Sequence, residues 1–298
     1  MVNSGTPAEV RIDEPLVRGL LREQLPLFAG LPLAPLSNGW DNDIWSLGDE
    51  LLVRLPRRSV AAQLVVNEQV WLPHVASLVT VDIPVPVRAG VPQDGYPWCW
   101  SVVPRFPGDI AARAPFADEE TEARRLARFL RQLHVPAPAG APHNPYRGIP
   151  LMEVAEAFAS RRMQLTPELL EHGFSPDEIS GRFFAAMDGF GFQGPAVWVH
   201  GDLHAGNILV DNGVIRAVID WGDICGGDPA CDVSVAYSLF TGGARRAFMD
   251  EYGVDTLGPF GAARGWALHF ALAYLASGEG DPLITQMGWR ALENALSD

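Results

Sequence analysis

The sequence predicts an α+β chain of two lobes, strands first and helices later. Three observations predict it. Short apolar runs separated by turn residues fill the chain up to Val103, with helical periodicity only between about Ser59 and Leu72. Two prolines and a glycine in Pro104-Arg105-Phe106-Pro107-Gly108 then end any regular element. From Asp118 onward helical stripes recur to the end of the chain.

Taken in order, Leu33–Leu36 is the first strand candidate. It leads into the turn-rich loop Ser37-Asn38-Gly39-Trp40-Asp41-Asn42. Ile44–Leu47 and Leu51–Leu55 are short strands joined by Gly48-Asp49-Glu50. Ser59 is placed to cap the helix, Leu64, Glu68 and Leu72 recur every fourth residue, and Pro73 is expected to interrupt it. Val85–Arg88 and Trp98–Val103 complete the first lobe, so its reading is strands with one helix, residues 1–103. The second lobe, 104–298, opens with a helix capped by Asp118 and running to His134, with Leu126, Phe129, Leu130 and Leu133 as its buried stripe. The Pro-rich stretch from Val135 to Pro150 reads as a surface connection. Further helices are expected near 152–165, 177–187, 232–240, 244–252, 261–277 and 282–296.

Between those helices lies the most informative stretch, Val197 to Asp232. Ile208-Leu209-Val210 and Val214 to Ile219 flank Asn212-Gly213, a strong short-range hairpin signal. Folding back at that turn brings Asp220 toward Asn207, with Asp202 just upstream. A carboxylate beside a carboxylate–amide pair suits Mg-nucleotide phosphoryl transfer: Asp202 orients the acceptor hydroxyl while Asn207 and Asp220 hold Mg²⁺ on the phosphates. His200-x-Asp202-x-His204 also reads as a metallohydrolase motif. That reading leaves Asn207 unexplained and finds no further ligand cluster at zinc spacing.

Composition narrows the partners. The net charge of −14 argues against nucleic acid and anionic membranes, and no apolar run approaches the length of a spanning helix. The stretch MVNSGTPAEVRIDEP has no signal-peptide pattern, and Cys99, Cys225 and Cys231 are expected to be reduced and packed, so a cytoplasmic location is expected. Acids concentrate after Val103, which favours a cationic acceptor or simply solubility. All 22 basic residues are arginine.

HGDLHAGNILV followed by IDWGD resembles the aminoglycoside phosphotransferase family, relatives of the protein kinases. LVRLPRR, Asn67–Pro73 and Gly95–Gly108 extend the resemblance across most of the chain. It implies a protein-kinase-like fold and transfer of phosphate from ATP, with GTP as the alternative nucleotide, to a hydroxyl of a small molecule, with Mg²⁺. An aminoglycoside-type antibiotic is the favoured acceptor; a macrolide, a nucleoside antibiotic or a metabolite alcohol stays open. It further implies Asp202 as the catalytic aspartate, His200 as the brace of its loop, Asn207 and Asp220 as metal ligands, and Glu68 as partner of the phosphate-binding basic residue. The hinge backbone at Ser101, Val103 and Phe106 would meet the adenine edge. Arg54 stands where the family's kinase relatives carry a strand lysine, a planar fork in place of a point charge. Asn38–Asn42 is not a G-x-G-x-x-G loop, and Arg57 and Arg58 are expected to be solvated. A nucleotide-binding protein without activity is the remaining alternative, and the intact Asp202, Asn207 and Asp220 set speaks against it.

Overall fold

The structure is a computed structural model, described for residues 8–39, 41–187, 192, 194–253, 260–278 and 281–297. Its contacts divide the chain into two compact units. One comprises Met1–Leu78, Asp82–Pro107 and Ala217–Gly222, and the other holds the remainder.

The first unit is a five-stranded antiparallel sheet with two helices. Its helices are α1 (Glu14–Gln24) and α2 (Ser59–Val75). Its strands are β1 (Leu33–Asn38), β2 (Asn42–Leu47), β3 (Leu51–Pro56), β4 (Arg88–Gly90) and β5 (Trp100–Pro104), in the order β1-β2-β3-β5-β4. Helix α1 is a second helix beyond the one expected. Its signal was present: Asp13 caps it through Leu16 N, Pro15 sits in the first turn, and Val17, Leu20 and Leu21 form one apolar stripe. That stripe packs on Leu47, Val53, Leu55, Trp100 and Val102, which makes α1 part of the sheet's core. Helix α2 starts where expected, but Arg58 is its N-cap and offers no side-chain bond. Pro73 lies inside α2 and does not interrupt it, because in the last turn a missing N–H removes a single bond. β4 sits later than the expected Val85–Arg88. In the loop after β1, Trp40 lies outside the described residues.

The second unit is helical, with short strands around the expected loop. After β6 (Asp109–Ile110) come α3 (Glu119–Leu133), a 3-10 turn (Leu151–Val154), α4 (Ala155–Gln164), α5 (Thr166–Glu171) and α6 (Pro176–Met187). Then follow β7 (Val197–Val199), β8 (Ile208–Asp211), β9 (Val214–Val218) and β10 (Cys225–Gly227), and finally α7 (Ala230–Val233), α8 (Val235–Leu239), α9 (Gly242–Tyr252), α10 (Phe260–Ser277) and α11 (Pro282–Leu296). Helix α5 was not foreseen. The Asp118 cap is present, accepting from Glu120 N and Thr121 N. Helix α10 is the axis of this unit: Trp266, Ala267, Leu268, Phe270, Ala271 and Leu272 are all buried, as in a helix covered on every side. The hairpin turns as expected, with Asn212 and Gly213 at φ 51° and 80°, the left-handed pair a tight two-residue turn requires.

The fold class is the expected one, a kinase-like α+β chain. Cys99, Cys225 and Cys231 are free thiols, the last two buried. No helix among the described residues is long and apolar enough to cross a membrane.

Candidate active site

In the first unit, three of the expected residues meet. Arg54 extends from the middle of β3 and is 7% exposed. Its Nη1 donates to both carboxylate oxygens of Glu68, at 2.8 and 2.9 Å, and its Nη2 donates to Asp220 Oδ1 at 3.2 Å. Glu68, from α2, also accepts the backbone N–H of Trp221 at 3.1 Å. The same carboxylate therefore holds the arginine and the peptide that follows Asp220. Asp220 itself has φ 62°, a conformation a non-glycine residue adopts only under restraint. Arg54 and the Trp221–Glu68 bond supply that restraint. Burial works against the Arg54 cation, but Glu68 and then Asp220 outweigh it and raise its pKa. The Asp220 side chain is left 57% exposed, open to further partners.

Arg57 and Arg58 are fixed, which corrects the expectation that they are solvated. Arg57 is 7% exposed, 3.4 Å from Asp43, and donates to Gly39 O at 2.9 Å. Arg58 pairs with Asp41 at 2.8 Å. Both clamp the loop between β1 and β2.

The hinge needs a correction as well. β5 pairs β3 in continuous register, Leu51 with Pro104 through Arg54 with Ser101, and Arg105 N donates to Glu50 O. Antiparallel ladders alternate direction residue by residue. Ser101, Val103 and Arg105 therefore turn their backbone groups toward β3, whereas Val102 bonds Val87 on the other side. Ser101 and Val103 consequently have no backbone edge to offer a ligand. Pro104 C=O and Phe106 N–H face away from β3 instead. The sequence reading spans Ser101 to Phe106 without separating these groups, because strand parity is set by pairing, and composition says nothing about it.

In the second unit, β7 delivers the chain to His200 and Asp202. His200 is fully buried. The buried carboxylate of Asp232 accepts His200 N at 2.7 Å and Gly201 N at 2.9 Å, and it lies 3.2 Å from His134 Nε2. Asp232 thus fastens the loop from within α7. Burial opposes its charge, yet His134, His200 and Gly201 N–H hold its pKa below the ordinary value. His200 Nδ1 in turn accepts the backbone N–H of Asp202 at 3.2 Å, so His200 is a positioning residue, out of reach of any substrate.

Asp202 is 25% exposed and lies between a guanidinium and an imidazole: Arg147 Nη2 is 3.5 Å from Oδ1, and His204 Nε2 is 3.4 Å from Oδ2. Burial opposes its charge, but His204, then Arg147 and His200, hold its pKa well below the carboxylate range. His204 Nδ1 accepts Gly206 N–H at 2.9 Å, so its proton sits on Nε2, toward Asp202. Asn207 Nδ2 donates to the Asp202 carbonyl at 2.9 Å. The amide is thereby oriented with its Oδ1 free to act as a ligand. The donor this loop offers, one amide oxygen, fits a hard cation that takes its remaining ligands from carboxylate, phosphate and water. It does not fit zinc: the Nδ1 atoms of His200 and His204 are both used by backbone N–H groups. Among the described residues no cluster of three His, Cys, Asp or Glu could hold a metal.

Arg147 and Asn144 were missed, having been read as part of a surface connection. The stretch is in fact tied to β7 and β10 through Ala137 N–Ala196 O and Gly226 N–Pro142 O. Arg147 lies over the Phe270 ring at 5.0 Å, and Asn144 donates to Asp223 at 2.7 Å. Their proline-rich surroundings masked them, since only the fold shows which loop residues turn inward.

His269 on α10 accepts from Arg161 Nη1 at 3.3 Å and is 4% exposed. Burial, Arg161 and Arg147 hold its pKa down to about 3, against an ordinary 6.5. A lowered folded pKa means stability that is present above the unfolded value and is lost as pH falls toward the folded one. Between about pH 7 and about pH 5, unfolding free energy should therefore drop by on the order of 2 kcal/mol. Urea melts should show this, and His269→Gln should flatten the slope; an unchanged slope in that variant would assign the loss elsewhere.

Comparison with known proteins agrees with this geometry. A family profile described as APH, phosphotransferase enzyme family, matches residues 32–268. No curated sequence matches. Among solved structures, the GDP and kanamycin complex of APH(2")-IIia is 20% identical with a TM-score of 0.68, covering 95% of this chain and 98% of that one. The macrolide 2'-phosphotransferase MphH from Brachybacterium faecium is 21% identical with a TM-score of 0.61, covering 93% and 97%. The streptomycin-ATP-APH(2")-IIa ternary complex is 19% identical with a TM-score of 0.58, covering 90% and 91%. The likeness to these structures shows the shared fold, and the profile match over most of the chain shows the rest: the chain belongs to the APH phosphotransferase enzyme family and is a small-molecule phosphotransferase.

Proposed function

We propose that the chain transfers the γ-phosphate of ATP to a hydroxyl of a small molecule. The observation that carries this reading is Asp202, kept ionised and partly exposed on a rigid loop. An ionised carboxylate of low basicity accepts a hydrogen bond from the acceptor O–H and aims the oxygen at phosphorus. The proton passes to Asp202 as the O–P bond forms and the bond to the β-phosphate oxygen breaks, leaving ADP. Arg54 neutralises phosphate charge while Glu68 holds its guanidinium in place. The adenine edge would bond Pro104 C=O and Phe106 N–H. Asn207 and Asp220 would hold Mg²⁺, which when bound screens the phosphate charge. His200 and Asp232 keep the loop in shape.

GDP and ATP appear in the names of the solved relatives, and these support a nucleotide donor. Their named partners include aminoglycosides, and one is a macrolide enzyme. The acidic net charge that favoured a cationic acceptor is a property of the whole chain, and the nearest cation to Asp202 is Arg147. A cytoplasmic location is retained as part of this proposal.

The test is ADP release across aminoglycosides, macrolides, nucleoside antibiotics and simple hydroxy compounds, with mass analysis of the acceptor. One acceptor gaining a phosphate is the expected result; ADP release with none modified would reject transfer to an alcohol. In the same assay Asn207→Ala should raise the Mg²⁺ concentration for half-maximal rate by at least about tenfold. An unchanged requirement would remove Asn207 from the metal.

A further inference from the structure

A cavity beside His204 is the part of the second unit that the proposed reaction leaves unused. His204 forms one of its walls, and the Nε2 of the same side chain lies 3.4 Å from Asp202 Oδ2, so the cavity adjoins the Asp202 loop. Tyr274, from α10, lines it as well. Its ring meets His204 edge-on with centroids 5.3 Å apart and stacks on Phe270 at 6.2 Å, which fixes the ring on two sides. A buried tyrosine hydroxyl ordinarily finds a partner. Tyr96 donates its own to Pro56 O at 2.9 Å, and Tyr252 pairs with His134 at 2.6 Å. The Tyr274 hydroxyl has none among the described residues. Burial, and then the Asp202 charge, hold this phenol well above its ordinary pKa, so it stays a hydroxyl that can both donate and accept.

The rest of the lining narrows what would satisfy that hydroxyl. Ser238 and Gln286 also face the cavity with side chains that make no hydrogen bond among the described residues, while Leu239 and Met287 supply apolar surface. No carboxylate lines it, and its one arginine, Arg290, is exposed. A protonated amine placed here would lose hydration with no counter-ion in the walls, which is costly. A neutral oxygen function would meet hydrogen-bonding groups instead. The cavity is small, ≈ 40 Å³, room for about three waters, so it takes one end of an acceptor and not the whole molecule.

Resting on the phosphotransferase reading, we infer that this cavity receives the hydroxyl-bearing end of the acceptor, with Tyr274 as a substrate-binding residue, and that the acceptor carries an uncharged oxygen function, such as a second hydroxyl, next to the oxygen that is phosphorylated. Tyr274 bonds that second oxygen while Asp202 accepts from the reacting O–H. An amine in its place is disfavoured, because Ser238, Tyr274 and Gln286 offer it no negative charge. Tyr274 supplies binding and takes no part in the chemical step. Its loss therefore falls on the acceptor KM and leaves the nucleotide KM unchanged.

The experiment uses three matched probes: styrene glycol, phenylglycinol, which puts a protonated amine in place of the second hydroxyl, and phenethyl alcohol, which has neither. Binding to the full chain is measured by ligand-observed NMR titration, and ADP release is followed in parallel. The glycol should bind about 3–10-fold more tightly than either of the others. Tyr274→Phe should lower glycol binding to the level of phenethyl alcohol and leave phenethyl alcohol unaffected. That variant deletes one atom that bonds nothing in the protein, so the fold has nothing to lose by it. No binding of the glycol, equal binding of the three probes, a preference for phenylglycinol, a glycol preference unaltered in Tyr274→Phe, or an equal loss of all three in that variant would each overturn the inference. Phosphorylation of kanamycin with a KM unchanged in Tyr274→Phe would overturn it too, while leaving the phosphotransferase reading intact. Tyr274-dependent binding of the glycol without ADP release from any acceptor would support the binding site and count against the reaction instead.

Discussion

Asp202→Asn will leave the chain folded and lower turnover by about 10²–10⁴-fold, with nucleotide affinity little changed. The asymmetry follows from the way the loop is built. In the proposed reaction the side chain addresses the acceptor, whereas the backbone carbonyl of the same residue orients Asn207 through its Nδ2. An isosteric amide keeps that carbonyl and the Asp202 N–H bond to His200. It removes the negative charge that Arg147 and His204 stabilise, and with it the acceptor for the substrate proton. Steady-state kinetics with nucleotide titration separate the two effects. Turnover within about tenfold of the unaltered chain would show that Asp202 is not the group acting on the hydroxyl.

Arg54→Ala has the second large effect, and it should appear in two measurements. Its guanidinium holds both carboxylate oxygens of Glu68, itself 1% exposed. Removing one member of a buried pair leaves the other charged and unpaired, at a cost of about 3–5 kcal/mol. The nucleotide KM should rise as well, because the proposed phosphate ligand is lost and Asp220 loses one of its two restraints. Arg54→Lys should recover charge without the fork, giving partial rescue. Arg58→Ala is the control: its ion pair with Asp41 is partly exposed, worth about 1 kcal/mol or less. Equal nucleotide defects in Arg54→Ala and Arg58→Ala would show that the strand arginine does not hold phosphate.

Much of the site is local in sequence, and local features are legible. Asp202 and Asn207 lie five residues apart on one loop, and Asn212-Gly213 announces the hairpin that follows. The helix starting after Asp118 and α11 carry their period openly, and α10 is recognisable as a long run that is apolar all round. Even α1 carried a readable stripe, overlooked because a short charged segment with a proline looks like a tail. Arg147, Arg161 and His269 carry no such mark. They are separated by more than a hundred residues from first to last, and nothing in their own neighbourhoods distinguishes them from surface residues.

Sequence by itself thus determined the family and the fold class, and it singled out Asp202 and Asn207 on one loop and Asp220 across the hairpin as the residues for the proposed chemistry. Tertiary structure alone decided which hinge groups face outward, that Asp232 fastens the loop from inside a helix, and that Arg147 stands beside the Asp202 carboxylate in a chain whose net charge is −14. The reason is the range of the forces involved. Turn and helix signals act between near neighbours in the chain, whereas strand parity, burial and the field at a carboxylate are sums over groups that only folding brings together.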